Sequence, residues 1–277
     1  MTTSAIAPLT SRRAVGPLDV VRLDLRLRRR ATIGYAVGLA LYALAVVAIY
    51  PSFKGDTSID RLLQSNPKLY AAFGVSGSLT SPVGWLNANV FNNFLPVVTV
   101  ILAIGYGAWC IAGQDESGTL APIAVLPISR RGVVVQKVVA LAVQLLPTLV
   151  LTTICVLVGR TFQLNVGIGN LVAASVACWL LGLVFGALAL VVGAASGSRG
   201  LAIGVSSAVA AAAYLISSFA ASIDWIRPMR LVSPFYWAAG SNPLGDGIQP
   251  GAMTALIITA AALVGVAVTA ANRADLH

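Results

Sequence analysis

The residues that could do chemistry in this chain are serines, lysines, acids and a single histidine. Residues 74–77 read GVSG, a spacing used by intramembrane serine proteases, but such a serine needs a base beside it. The sole histidine is His277, the last residue, and no lysine follows a glycine as an ATP-binding P-loop requires. These patterns predict a chain that is not an enzyme and that holds no metal or cofactor of its own.

The composition indicates the surroundings in which these residues must work. Of 277 residues, 58% are hydrophobic and only 10% are charged. A soluble domain carries about 25% charged residues, so this chain could not cover an aqueous surface. The sequence therefore predicts an integral membrane protein. The net charge of +9 is typical of bases that collect beside membrane spans, and we do not expect nucleic acid as a partner.

Six apolar runs are each long enough to cross a hydrocarbon core of about 30 Å as a helix. They cover residues 31–50, 90–112, 138–159, 171–195, 201–221 and 252–271. The predicted fold class is an all-α integral membrane protein with six transmembrane helices. We expect a tail and an interfacial helix over residues 1–30, the transmembrane domain over 31–272, and a short tail over 273–277.

The bases predict the orientation of these spans. If both termini are cytoplasmic, twelve of the eighteen lysines and arginines lie inside, including the cluster directly before the first span. We therefore expect a multi-pass protein with cytoplasmic termini, and the high usage of alanine, glycine, valine and arginine suggests a bacterial plasma membrane. Residues 19–30 alternate with the period of a strand, but a lone strand makes little sense there. We favour a basic helix held by anionic lipid on the cytoplasmic face, with a merely basic tail as the alternative.

Two segments on the outer side carry their own patterns. Within the outer segment over residues 51–89, residues 56–74 mix charges with apolar residues and are predicted to form short helical pieces broken at Pro67. Residues 222–251 are rich in aromatic residues, proline and glycine. Aromatic residues favour the membrane interface, and such breakers predict short re-entrant helices before the sixth span.

One charged stretch, GQDESGTLAPIAVLPISRRG, interrupts the apolar sequence between the second and third runs, from Gly113 to Gly132. It begins the cytoplasmic loop that we predict over residues 113–137. No acid, lysine or arginine falls within the six runs, whereas ion-driven transporters usually keep such a group in the membrane. If the chain transports, its energy is expected to come from a partner.

The order of motifs in this stretch resembles ABC-2-type exporter permeases. Clustered acids are followed by Gly-Thr, a short apolar helix over Leu120 to Leu126, and then Pro-Ile-Ser-Arg. The stretch FGVSGSLTSPVGWLNANVF resembles the outer loop of the branch linked to antibiotic and multidrug export. LVSPFYW resembles the family's segment before the last span, and NRADL resembles its ending. The resemblance implies two separate ABC ATPase subunits per complex, which carry ATP and Mg²⁺, and a second permease that is either a copy or a paralogue.

The resemblance also implies the site residues. It assigns coupling to the ATPase to Asp115, Glu116, Gly118, Thr119, Leu120, Pro127, Ser129, Arg130 and Arg131. It places the second and fifth spans at a dimer axis, where polar residues are candidates for the substrate path, although such residues more often satisfy contacts between helices. These are Asn92, Asn93, Ser206, Ser207, Tyr214 and Ser217. Close helix approach is indicated by G-x-x-x-G pairs at Gly34/Gly38, Gly182/Gly186, Gly193/Gly197 and Gly200/Gly204.

The function that the resemblance implies is ATP-driven export of a hydrophobic or amphipathic compound, such as a drug or antibiotic. Export of a lipid or glycan would suit the same pattern. From a different class, a membrane scaffold or sensor that moves nothing remains open at this point.

Overall fold

The computed structural model describes residues 18–55, 78–118, 129–220, 223 and 225–273. Every regular element within these residues is helical, and six helices are long and apolar enough to cross a membrane. We call them the first to sixth spans: Asp19–Phe53, Pro82–Glu116, Arg131–Phe162, Ile168–Ser196, Arg199–Phe219 and Pro250–Ala270. The predicted all-α fold with six spans is confirmed, and most of the helices extend beyond the predicted apolar runs.

The first span is one unbroken helix of 35 residues. The basic segment over residues 19–30 is helical, as favoured from the sequence, but it continues directly into the span instead of forming a separate interfacial element. No glycine or proline lies between Asp19 and Thr32 to break it. At 1.5 Å per residue the helix is about 52 Å long, more than the 40–45 Å of a whole bilayer. Its ends therefore extend beyond the hydrocarbon core.

The fourth span lies at the centre of the bundle and packs against the second, third, fifth and sixth spans, while the first span packs mainly on the third. Small residues make this close packing possible. A Cβ added at Gly186 would lie 2.6 Å from Cδ2 of Leu141, and one at Gly182 would lie 2.8 Å from Leu145. This G-x-x-x-G pair thus serves packing within the chain, whereas Gly34 and Gly38 face open space.

The two ends of the bundle differ in what joins the spans. We call the base the end at which the first, third and fifth spans begin and the second span ends. At the opposite end, the indole of Trp85 donates to the carbonyl of Val46 at 3.0 Å. The hydroxyl of Tyr50 donates to the carbonyl of Thr80 at 3.1 Å. These bonds fasten the far end of the first span to the start of the second.

Short helices precede the sixth span, as predicted from the breakers and aromatic residues. They cover Arg227–Val232, Tyr236–Gly240 and Pro243–Asp246. The hydroxyl of Ser233 is buried and donates to the carbonyl of Ala213 at 2.7 Å, which docks this segment on the fifth span. The helical pieces predicted around Pro67 lie outside the described residues.

Candidate coupling site at the base of the bundle

A buried ion pair joins the first and third spans at the base. The Nζ atom of Lys137 lies 2.9 Å from each carboxylate oxygen of Asp24, and neither side chain is exposed. Gln114 of the second span donates to Asp24 at 3.0 Å and accepts from Lys137 at 2.7 Å. The hydroxyl of Tyr106 donates to the other Asp24 oxygen at 2.6 Å. We call these four residues the Asp24 cluster; it unites three spans around one carboxylate.

The Asp24 cluster corrects two expectations. Asp24 was placed in a separate interfacial helix, and Gln114 and Lys137 were placed in the 113–137 loop. All three lie on the continuous helices of the spans, because the second span runs on to Glu116 and the third span is already helical from Arg130. The ionisable residues absent from the predicted apolar runs are therefore present in the longer helices.

A sequence signal for this pair exists. Lys137 stands between VVVQ and VVAL and is the only charge in that apolar run, whereas Asp24 is an acid between apolar residues in a segment that is otherwise basic. Val21 and Val134 are buried, and each lies three residues before one of the charged residues on the same helix face. Removing one member of a buried pair typically costs 3–5 kcal/mol, since the other charge is left without compensation. A lone acid and a lone base in separate buried helix faces therefore need each other.

The Asp24 cluster also holds both arms of the segment between the second and third spans, that is, the end of the second span and the start of the third. Gln114 directly precedes the acids at the end of the second span, and Lys137 lies two turns into the third. A further bond runs from the backbone N–H of Val20 to Oε1 of Gln136 at 3.3 Å. The start of the first helix is thus bonded to each arm, and a displacement of either arm acts on it directly.

Glu116 connects the same segment to the fifth span. Its Oε1 atom accepts the backbone N–H of Arg199, the first residue of that helix, at 2.9 Å. A carboxylate at a helix N-terminus is favourable because the free N–H groups there carry partial positive charge. Asp115 and Glu116 are exposed, and Gly118 has a φ of +68°, which ends the helix in the left-handed region. Glu116 therefore spans the gap between two transmembrane helices.

Ser129 and two arginines start the third span. The Oγ atom of Ser129 accepts the N–H of Gly132 at 3.1 Å, a conventional N-cap. Arg130 and Arg131 occupy the first turn, which contains no acid, and Arg131 is exposed. Bases at the positive end of a helix do not stabilise it. Three coupling residues lie outside the described part of the chain: Thr119, Leu120 and Pro127.

Among the predicted path residues, the structure brings together Asn93 and Tyr214. The tyrosine hydroxyl of the fifth span donates to Oδ1 of Asn93 on the second span at 3.0 Å. Ser206 is fully buried and its hydroxyl has no hydrogen-bond partner among the described residues. Ser207 is exposed, whereas Asn92 and Ser217 are half-buried. The bond between Asn93 and Tyr214 therefore links two of the candidate path residues across the second and fifth spans.

The second span departs from regular α-helical geometry where these residues lie. Its stretches Asn87–Phe94 and Trp109–Gly113 are π-helical. Short π-helical stretches are rare and occur frequently at functional sites. The first contains Asn92 and Asn93, and the second lies between Tyr106 and Gln114 of the Asp24 cluster. The sequence patterns did not indicate either stretch.

The six spans and the Asp24 cluster define a multi-pass helical membrane protein. The segment between its second and third spans, which we call the linker, is held at both ends by hydrogen bonds to the first span. A sequence model of the ABC-2 family transporter proteins matches residues 18–234. The chain belongs to this family, as its motifs suggested, and family membership implies a membrane permease that works with an ABC ATPase. No curated protein sequence matches the chain.

Proposed function

We propose that this chain is the transmembrane permease of an ATP-driven exporter, with the base of the bundle facing the cytoplasm of a bacterium. The distribution of bases supports this orientation. Exposed arginines crowd the base on the first span, where Arg22, Arg26, Arg29 and Arg30 lie within nine residues. Positive charge near membrane spans favours the cytoplasmic side. Both termini are then cytoplasmic.

The segment between Asp115 and Arg131 is the proposed contact with a separate ATPase, which supplies the ATP and Mg²⁺ chemistry. Its two described ends carry charges of opposite sign on exposed side chains, Asp115 before and Arg131 after. Opposite charges on either side of a contact fix the orientation of a partner. Arg131 does not stabilise its own helix, which leaves it available to an acidic group of the ATPase.

The observation that carries the proposal is the bonding of both linker arms to Asp24. ATP-driven closure of two ATPase subunits would displace the linker, and the Asp24 cluster would pass that displacement to the first span. Glu116 would pass it to the fifth span through the N–H of Arg199. A single displacement of the linker thereby acts on the first, second, third and fifth spans. In this proposal the chain itself contributes no catalytic group.

The cargo path is proposed at the interface of two permeases, either copies or paralogues. The fifth span exposes a broad apolar face that includes Leu201, Val205 and Val209 and can meet a second permease. The bonded pair Asn93 and Tyr214 lies between the second and fifth spans. Its mostly apolar surroundings favour a hydrophobic or amphipathic cargo of the drug or antibiotic type.

The test begins with the full chain, tagged at its C-terminus and extracted from native membranes in mild detergent. We expect an ATP-hydrolysing subunit to copurify in a fixed ratio, and the charge reversal Arg131→Glu to remove it. Arg26→Glu reverses the charge of another exposed arginine at the same end of the bundle but outside the linker, and it should leave the complex intact. A homogeneous permease without an ATPase under several extraction conditions would instead establish the scaffold or sensor function.

Transport is tested separately with ethidium, a hydrophobic cation, as the probe. Cells that express the intact complex should accumulate less ethidium than cells that carry Arg131→Glu. If the complex assembles but ethidium efflux is unchanged, lipid flipping in proteoliposomes is the next measurement. ATP-dependent movement of a labelled lipid would replace drug-type export with lipid export.

A further inference from the structure

The first and second spans separate over part of their length and leave a groove of about 540 Å³ that opens sideways. Small residues of the first span form one wall, including Ala31, Gly34 and Gly38. A Cβ added at Gly34 or Gly38 would meet nothing within 4 Å. Phe94 and Val98 of the second span form the other wall. The groove is thus narrow, apolar and accessible from the membrane.

Both ends of the groove are closed by contacts between the two spans. Towards the opposite end, the rings of Tyr42 and Phe94 lie 4.2 Å apart between centroids. Towards the base, Nη1 of Arg28 donates to the carbonyl of Gly105 at 2.7 Å. The lining residues of the first span, from Ala31 to Tyr42, rise about 16 Å, which is close to the length of an extended lipid acyl chain.

The base-side end of the groove carries an excess of positive charge. The guanidinium carbon of Arg28 lies 5.4 Å from the centroid of the Trp109 ring. Arg199 packs beside the same indole, because a Cβ on Gly113 would lie 3.0 Å from both Cδ of Arg199 and Cδ1 of Trp109. Arg28 and Arg199 therefore both lie near the Trp109 side chain.

Neither of these two guanidinium groups forms an ion pair within 4.0 Å with an acid of the described residues. Asp24 is bonded to Lys137, and Glu116 accepts the backbone N–H of Arg199. Among the described residues, the ion pairs within 4.0 Å are those of Lys137 with Asp24 and of Arg22 with Asp19. Two neighbouring cations at the foot of an apolar groove are therefore left with spare hydrogen-bond donors.

We propose that this groove binds one anionic phospholipid from the leaflet at the base, with an acyl chain against Gly34 and Gly38 and the phosphate between Arg28 and Arg199. The shape of the groove suits a lipid acyl chain, and the two arginines favour an anionic headgroup over a zwitterionic one. Guanidinium groups suit this role because their planar donors match phosphate oxygens. The exposed arginines of the same helix raise the local concentration of anionic lipid. The bound lipid fills the gap between two spans that contact the Asp24 cluster.

The test is native mass spectrometry of the full chain in mild detergent, titrated with phosphatidylglycerol or with phosphatidylcholine of the same acyl chains. We expect one phosphatidylglycerol to be retained about tenfold more tightly than phosphatidylcholine. Arg28→Gln with Arg199→Gln should remove this preference. Gly34→Leu with Gly38→Leu should abolish retention of both lipids. Arg227→Gln and Gly265→Leu, at exposed sites before and on the sixth span, are matched controls and should behave like the wild type.

Equal retention of the two lipids by the wild type, or an unchanged preference in the arginine variant, overturns the proposal. Displacement of the lipid by added glycerol phosphate would also overturn it, since the site would then select a soluble anion. If the double arginine variant fails to fold, Arg199→Gln alone gives the answer. That side chain is exposed, and its backbone bond to Glu116 does not depend on the guanidinium.

Discussion

Asp24 and Lys137 are 113 positions apart in the chain, yet the lysine Nζ lies 2.9 Å from both oxygens of the carboxylate. Both side chains are completely buried. The pair joins the first helix to the third, and Gln114 brings in the second. An ion pair at this place fixes the relative position of three helices at the point where the linker between the second and third spans is attached.

Removing one charge of this pair should destabilise the protein strongly. Lys137→Met leaves the Asp24 carboxylate buried without its counter-charge, at a cost of about 3–5 kcal/mol. We expect the midpoint of thermal unfolding in detergent to fall by about 10 °C. Combining Lys137→Met with Asp24→Asn should recover much of this loss, because no unpaired charge then remains. A double variant as unstable as the single one would show that the pair itself, and not the lone charge, determines stability.

The Tyr106 hydroxyl contributes a smaller part. Tyr106→Phe removes one hydrogen bond to a charged acceptor, worth about 1.5–3 kcal/mol. Tyr42→Phe is the matched control, because its hydroxyl donates to the neutral carbonyl of Asn89 at 3.0 Å. We expect the unfolding midpoint to fall further for Tyr106→Phe than for Tyr42→Phe. Equal shifts would indicate that the carboxylate draws no special stability from the phenol.

How far the sequence predicts this molecule depends on the kind of interaction. Long apolar runs predicted six spans and their order, since crossing a membrane requires length and hydrophobicity alone. The predicted spans were too short at their ends, because charged residues such as Asp24 and Lys137 are expected outside a membrane span. Their burial becomes understandable only when the partner on another helix is known. The bond from Glu116 to Arg199 and the π-helical turns could not be predicted, since both depend on how separate helices pack. The sequence predicted that Asn93 and Tyr214 lie on two spans that face the same axis, but it did not predict the contact between them.

Glu116 should affect coupling more than stability. Glu116→Gln keeps the shape of the side chain but removes the charge at the start of the fifth span, a loss of about 0.3–1 kcal/mol. We expect an unfolding midpoint within about 3 °C of the wild type. The ATPase rate of the copurified complex should no longer respond to the transported compound. A normal response in this variant would remove Glu116 from the proposed coupling route.

Close packing at the fourth span predicts intolerance of added atoms. Gly186→Ala places a methyl group 2.6 Å from Leu141, so the neighbouring side chain must shift. Overpacking of this kind costs about 1–3 kcal/mol. Gly265→Ala adds the same methyl group to the sixth span where nothing lies within 4 Å. We expect a lower unfolding midpoint for the first variant only, and equal midpoints would contradict the packing described here.

The bond between Tyr214 and Asn93 allows a test of the cargo path. Tyr214→Phe removes the hydroxyl and leaves the ring against Phe235, with centroids 5.4 Å apart. We expect assembly with the ATPase to be unchanged and the efflux of ethidium to change by severalfold. Ser218→Ala, one turn away on the same helix and outside the candidate path residues, serves as the control. Unaltered efflux in the tyrosine variant would exclude this pair from the path.

The unbroken first helix has a geometrical consequence. It is held at the base by Asp24 and at the opposite end by Tyr50, about 39 Å away along the helix axis. A rigid rod of that length amplifies small rotations, so a tilt of about 5° about Asp24 carries the far end sideways by about 3 Å. That distance is comparable to the width of a water molecule, and it is enough to separate Tyr50 from the carbonyl of Thr80 that it now contacts.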